Sequence, residues 1–150
     1  MHPLILSATL STMVLAGPVT WAFTATPAKD GLVAVELTAT VGEGWHIYAT
    51  RLENDLGPIP TTIRFTPSEA MQPVGELVEP KPDEVFDPNF EMQVRYHSGS
   101  PVFVQHFKPT GAGDPVLKGE VEFMVCNDKT CLPPEVVTFA LALAQGNVKP

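Results

Sequence analysis

Basic residues are scarce in this 150-residue chain: nine Lys plus Arg stand against seventeen Asp plus Glu, a formal net charge of −8. Nucleic acid needs a basic face to neutralise phosphates, and an anionic membrane surface attracts polybasic segments, so neither is expected as a partner. Cysteine is scarcer still, with two residues. A chain of this length buries a core without many disulfides or a metal. No Ser-His-Asp order, phosphate-cradling glycine loop or pair of catalytic carboxylates stands out. Proline, by contrast, is plentiful at sixteen residues, about twice the usual share and hostile to long helices. An apolar content of 44% is too high for a disordered acidic tail. One domain, not all-helical, is expected.

No charged side chain precedes Lys29, and Leu4 to Ala16 is mostly apolar. That run is too short to span a bilayer but suits the apolar region of a signal peptide. Val14-Leu15-Ala16 offers the small residues that a signal peptidase requires, and Gly17-Pro18 interrupts the apolar run. The expected organisation is therefore a leader over 1–16, a domain over 17–145 and a tail over 146–150. No cysteine follows the apolar region as a lipid-anchor site.

Beyond Pro18 the pattern alternates with a period of two. Val33, Val35, Leu37 and Ala39 alternate with Ala34, Glu36, Thr38 and Thr40, and 20–25 alternates around Trp21 and Phe23. Further β-rich runs cover 45–48, 61–65, 93–97, 102–107, 118–126 and 136–143, separated by Gly, Pro, Asn and Asp clusters. Short strands at such spacing predict an all-β sandwich or barrel. Residues 71–91 break the pattern with four prolines and little alternation, which reads as a long Pro-rich acidic loop. Loops of that length are usually functional or mobile. From Glu69 to Glu91 there are seven acids and one base, Lys81.

The two cysteines stand in Phe123-Met-Val-Cys126-Asn-Asp-Lys-Thr-Cys131-Leu-Pro-Pro134. Cys126 ends a strand and four turn residues separate it from Cys131. Residues flanking such a turn lie with Cα atoms ~4.5–5.5 Å apart, within disulfide reach. A bond there ties a turn to itself, and closing so small a ring contributes roughly 2 kcal/mol. With Val121, Phe123 and Val125 on the core face, Cys126 falls on the other, where a thiol could meet another protein. Spacing alone leaves a redox-active pair and a structural bond both open.

Those residues, together with Gly44-Trp45-His46-Ile47-Tyr48, resemble the N-terminal periplasmic domain of the thiol:disulfide interchange protein DsbD, from about Pro18 to Leu143. The resemblance implies an immunoglobulin-like β-sandwich without a cofactor. Its cysteine pair would relay reducing equivalents from a membrane-embedded thiol reductase to thioredoxin-like periplasmic proteins, namely disulfide isomerases and cytochrome c maturation factors. It implies that Cys131 forms mixed disulfides and Cys126 resolves them. It also implies a cap loop that holds an aromatic ring over the sulfurs. Asp87-Pro88-Asn89-Phe90 matches that place, with Phe90 as the ring, Phe86 as its rival and Asp87 as an acid near the thiols. Tyr48 and His46 resemble the residues that line the floor of the site. On this reading the chain is a monomeric thiol:disulfide oxidoreductase (protein-disulfide reductase) component. The chain departs from the best-known members in having four residues between its cysteines rather than five. It also carries no multi-helix membrane segment and no Cys-x-x-Cys, so it either works in trans with a separate conduit or is one piece of a larger system.

Trp21 and Trp45 read first as core aromatics. His46, His97 and His106 are scattered over different runs, a poor pattern for a metal site; Met92 and Met124 read as packing residues. The competing functional class is a non-enzymatic immunoglobulin-like binding module whose hairpin disulfide is inert. A metallochaperone ranks third.

Overall fold

The computed structural model describes residues 12–110 and 115–143. Twelve strands are present among them: β1 (Thr12–Ala16), β2 (Val19–Pro27), β3 (Val33–Val41), β4 (His46–Tyr48), β5 (Thr62–Phe65), β6 (Met71–Val78), β7 (Asp83–Asp87), β8 (Met92–His97), β9 (Val102–Pro109), β10 (Val116–Phe123), β11 (Val125–Cys126) and β12 (Glu135–Ala142). They form three antiparallel sheets of order β1-β2-β3-β9-β6, β12-β10-β5 and β11-β4-β8-β7. The fold is an all-β sandwich, and the period-two runs of the sequence recur in it as β2 to β5, β8, β9, β10 with β11, and β12.

The alternation explains the packing. Val19, Trp21 and Phe23 of β2, and Val33, Val35, Leu37, Ala39 and Val41 of β3, are buried. They meet Val121 and Phe123 of β10 and Val137, Phe139 and Leu141 of β12 in one core. Aromatic rings join the five- and three-stranded sheets: Phe23 stacks on Phe139 at 4.5 Å between centroids, and Phe65 meets Phe107 edge-on at 5.0 Å. Such pairs add to the free energy of burial itself.

Residues 71–91 differ from the expected long loop. They form two edge strands, β6 on the five-stranded sheet and β7 on the four-stranded sheet, joined by a short connection at 79–82. An edge strand is paired on one side and largely solvated, so it need not alternate, and it tolerates a proline that faces away from the ladder. Pro73 occupies such a place opposite Phe107. The register of β6 shifts between Val74 and Val78, where Gly75 takes a φ of 74°. The buried Gln105 amide donates to the carbonyls of Val74 and Gly75 at 3.2 and 3.1 Å, pairing oxygens that the bulge takes out of the ladder.

Of the segment expected as a leader, residues 1–11 lie outside the described residues. Thr12–Ala16 pairs with β2, from Thr12 opposite Phe23 to Ala16 opposite Val19. The expected tail over 146–150 also lies outside.

The four-stranded sheet positions the site. Its paired residues Ile47 and Val125 face the main core. Their neighbours His46, Tyr48 and Cys126 face the other side, as a pleated strand requires.

Candidate functional site

Cys126 and Cys131 are joined in a disulfide with a Cα–Cα distance of 4.0 Å, and the two residues also form an antiparallel bridge. The intervening turn closes on itself. Asn127 donates its N–H to the Thr130 carbonyl at 2.8 Å, and its side-chain oxygen accepts the N–H groups of Lys129 and Thr130 at 2.8 Å. An Asx turn of this kind explains why Asn leads the segment.

Cys126 does fall opposite the core, as the alternation requires, but that face is not open. The chain breaks its pairing at Met124 and passes from the three-stranded to the four-stranded sheet. There Cys126 is 0% exposed, in a second apolar cluster with Tyr48, Val94 and Met124. The partly exposed Phe90, Met92, Tyr96, Val85 and Cys131 pack against that cluster. The expectation of an accessible thiol at Cys126 is thus corrected: Cys126 is buried, and Cys131 is the partly exposed member of the pair. Alternation assigns a residue to a face but does not say what covers that face.

Phe90, which packs against this cluster, stands in the β7–β8 turn, residues 88–91. Glu91 closes it by donating its N–H to the Asp87 carbonyl at 2.7 Å, with its own φ at 53° in the left-handed region. Phe90 lies edge-on to Tyr48 at 6.3 Å between centroids. Phe86, the rival ring, is 59% exposed. It belongs to a pleated strand in which the adjacent Asp87 faces inward, so its ring points away from the sulfurs.

Beneath the disulfide lies a directed chain of polar groups. Tyr48, wholly buried, donates its hydroxyl hydrogen to Asp87 Oδ2. Its hydroxyl oxygen is then left to accept from Nε2 of His46 at 3.1 Å, which places the ring hydrogen on that nitrogen. Asp87 is 1% exposed and its other oxygen accepts the Asn89 N–H at 2.8 Å. Pairing of this kind is what allows a carboxylate to sit inside an apolar cluster. His46 stands directly opposite Cys126 in the β4–β11 pairing and stacks on Tyr96 at 4.1 Å. Burial pushes the His46 imidazole below its ordinary pKa, against the opposing pull of Asp87 and Asp128, so the neutral ring is favoured. Burial and the hydrogen bond to Asp87 push the Tyr48 phenol far up, so it remains a donor.

The structure therefore brings together all six residues singled out in the sequence: Cys126, Cys131, Asp87, Phe90, Tyr48 and His46. His97 lies elsewhere, with its Nε2 at 2.8 Å from Glu79, and His106 is on β9. Sequence reasoning missed Val94 and Tyr96, which share a face of β8, and Asn89 and Asn127, which are hydrogen-bonded to each other. The alternation within 93–97 carried the signal for the first two, but only the pairing of Tyr48 with Tyr96 puts them at the site.

The family model for the N-terminal part of the thiol:disulfide interchange protein DsbD matches residues 13–143. This chain belongs to that family. It is a thiol:disulfide exchange domain with the family's immunoglobulin-like fold, and DsbD N-terminal domains are periplasmic. Among solved structures, the N-terminal periplasmic domain of ScsB from Proteus mirabilis is similar over 91% of this chain, with 20% identity and a TM-score of 0.60. This chain spans about half, 49%, of that one. The reduced DsbD N-terminal domain of Neisseria meningitidis has 18% identity and a TM-score of 0.54, with 81% of this chain and 84% of that chain covered. The same organism's DsbD N-terminal domain, solved in complex with the PilB N-terminal domain, has 14% identity and a TM-score of 0.51, covering 91% and 86%. At these identities the structural likeness speaks for the fold alone. No curated protein matches by sequence.

Proposed function

We propose that this domain relays electron pairs in the periplasm, from a membrane-embedded thiol reductase to thioredoxin-like acceptors, through Cys126 and Cys131. The carrying observation is the asymmetry of the disulfide: Cys126 is fully buried and Cys131 is partly exposed. Exchange needs an in-line approach to one sulfur, and only Cys131 offers it. A donor thiolate attacks Cys131 Sγ, a mixed disulfide forms, and Cys126 leaves as a thiolate that takes up a proton. The donor's second thiol then attacks the mixed disulfide, leaving the domain reduced and the donor oxidised. In the forward transfer Cys131, as thiolate, attacks an acceptor disulfide; Cys126 resolves the product and reforms the intramolecular bond. The two sulfurs carry both electrons, so no cofactor enters. Asp87, Tyr48 and His46 form the polar floor beside the thiols, and Phe90 shields them between encounters. The domain reaches the periplasm behind a leader ending near Ala16, which N-terminal sequencing of the exported protein checks; cleavage there removes β1 and leaves β2 at the edge of its sheet.

Two measurements test this reading. With a thioredoxin-like protein carrying Cys-x-x-Cys, the Cys126→Ser variant accumulates a mixed disulfide and Cys131→Ser accumulates none; the reverse overturns the order of attack. The midpoint potential of the pair, read by alkylation across a dithiothreitol series, falls between roughly −180 and −270 mV, the range of exchange proteins. A value below roughly −300 mV marks an inert structural bond and replaces the relay with the binding module.

A further inference from the structure

Two self-contained turns meet at the disulfide. On the cap side, Asp87 holds residues 88–91 through its carbonyl, bonded to Glu91 N–H, and through its carboxylate, bonded to Asn89 N–H. On the hairpin side, Asn127 uses its N–H and its side-chain oxygen within its own turn. Its carbonyl is left over. Among the described residues, one side-chain hydrogen bond joins the two turns: the Asn89 amide Nδ2 donates to that carbonyl at 2.8 Å. Its two ends are each one residue from the chemistry, since Phe90 follows Asn89 and Cys126 precedes Asn127.

We propose that Asn89 is a positioning residue, whose amide latches the cap turn to the cysteine hairpin and so keeps Phe90 seated in the apolar cluster around the disulfide. The cap has little else to hold it. Asn89 is exposed and Phe90 is only partly buried, and local opening is easiest where few buried contacts oppose it. Both turns keep their internal bonds when the latch opens, so the cap swings as a unit about its β7 and β8 stems and neither turn unfolds. The bond is solvent-exposed, so water replaces it when it breaks and the latch stays weak. A hydrogen bond of ordinary net strength changes an opening equilibrium by about 2- to 12-fold. That is enough to slow adventitious thiols without blocking a docked partner, which can offer its own donor to Asn127.

This inference adds to the relay reading, but its test needs no protein partner. The oxidised full chain is mixed with excess dithiothreitol and the loss of the disulfide is followed by rapid-quench alkylation. One dithiothreitol thiolate attacks Cys131 Sγ and expels the Cys126 thiolate, which takes up a proton. The second thiol then closes the dithiothreitol ring and releases Cys131, so one electron pair passes from the reagent to the protein. Asn89→Ala is expected to be reduced about 2- to 12-fold faster than the parent. Phe90→Ala is also reduced faster. Adding Asn89→Ala to Phe90→Ala produces no further acceleration, because the latch acts only by seating the ring. A parental rate for Asn89→Ala overturns the proposal, and so does an equal acceleration with and without Phe90. If Cys126→Ser traps no partner while Asn89→Ala still accelerates reduction, the latch stands and the relay falls. If trapping succeeds and Asn89→Ala has no effect, the latch alone falls.

Discussion

Tyr48 shows how much a single side chain settles here. Its ring fills the apolar cluster beside Cys126 while its hydroxyl joins His46 to Asp87. Tyr48→Phe keeps the ring and removes the joint, leaving a buried carboxylate oxygen and a buried imidazole N–H without that partner. An unsatisfied buried group costs about 1–3 kcal/mol, so urea unfolding of oxidised Tyr48→Phe is expected to show a loss of that size with an unchanged m-value. No loss would mean that water already satisfies these groups. The six residues that the structure gathers around the disulfide stand in short motifs of the sequence: Gly-Trp-His-Ile-Tyr, Asp-Pro-Asn-Phe and the cysteine segment. The direction of the hydrogen bonds was not legible there, because Tyr48 and Asp87 are 39 residues apart and only pairing brings them into reach. The exposure of each sulfur was hidden for the same reason.

Strands carried most of the sequence signal where one face is buried in the main core. The runs at 20–25, 32–41, 102–107 and 136–143 lie along β2, β3, β9 and β12, since alternation there is enforced by the core. Residues 71–91 were opaque because edge strands are held by one ladder and the rest faces water; acids and prolines are tolerated there and erase the pattern. Gly119 is an element-scale feature that composition does not reveal. It sits mid-strand in β10, between Phe65 of β5 and Phe139 of β12. A Cβ there would stand 2.5 Å from Phe139 Cζ and 2.7 Å from the Arg64 carbonyl oxygen. Backbone cannot give way cheaply, so Gly119→Ala is expected to cost about 1–3 kcal/mol through overpacking. A lower thermal midpoint with an unchanged disulfide potential is the expected signature. A shift in the potential as well would mean that the core and the site are mechanically coupled.

Across the whole molecule, two buried polar clusters tie stability to pH in the same direction. Burial lowers the His46 pKa below its ordinary 6.5. Glu79 also lies below its ordinary 4.5: burial works to raise it, but hydrogen bonds from His97 and Thr50 outweigh that. A site with a depressed pKa binds fewer protons folded than unfolded, so its contribution is present above the unfolded value and is lost as pH falls through the folded one. The thermal midpoint is therefore expected to fall as pH drops below about 6.5, and again below about 4.5. His46→Gln flattens the first limb. A profile that is flat between pH 7 and pH 5 in the parent would show that His46 is not held neutral. By itself the sequence determined the class of fold, its strand periodicity, the cysteine hairpin and the residues around it, because each of these is local: a period of two, a turn, a short motif. Tertiary structure alone decided that residues 88–91 form the turn between β7 and β8, that Cys126 is buried while Cys131 is partly exposed, and that Asn89 reaches Asn127. Those facts depend on which strands pair and in what register, and pairing joins residues that are distant along the chain.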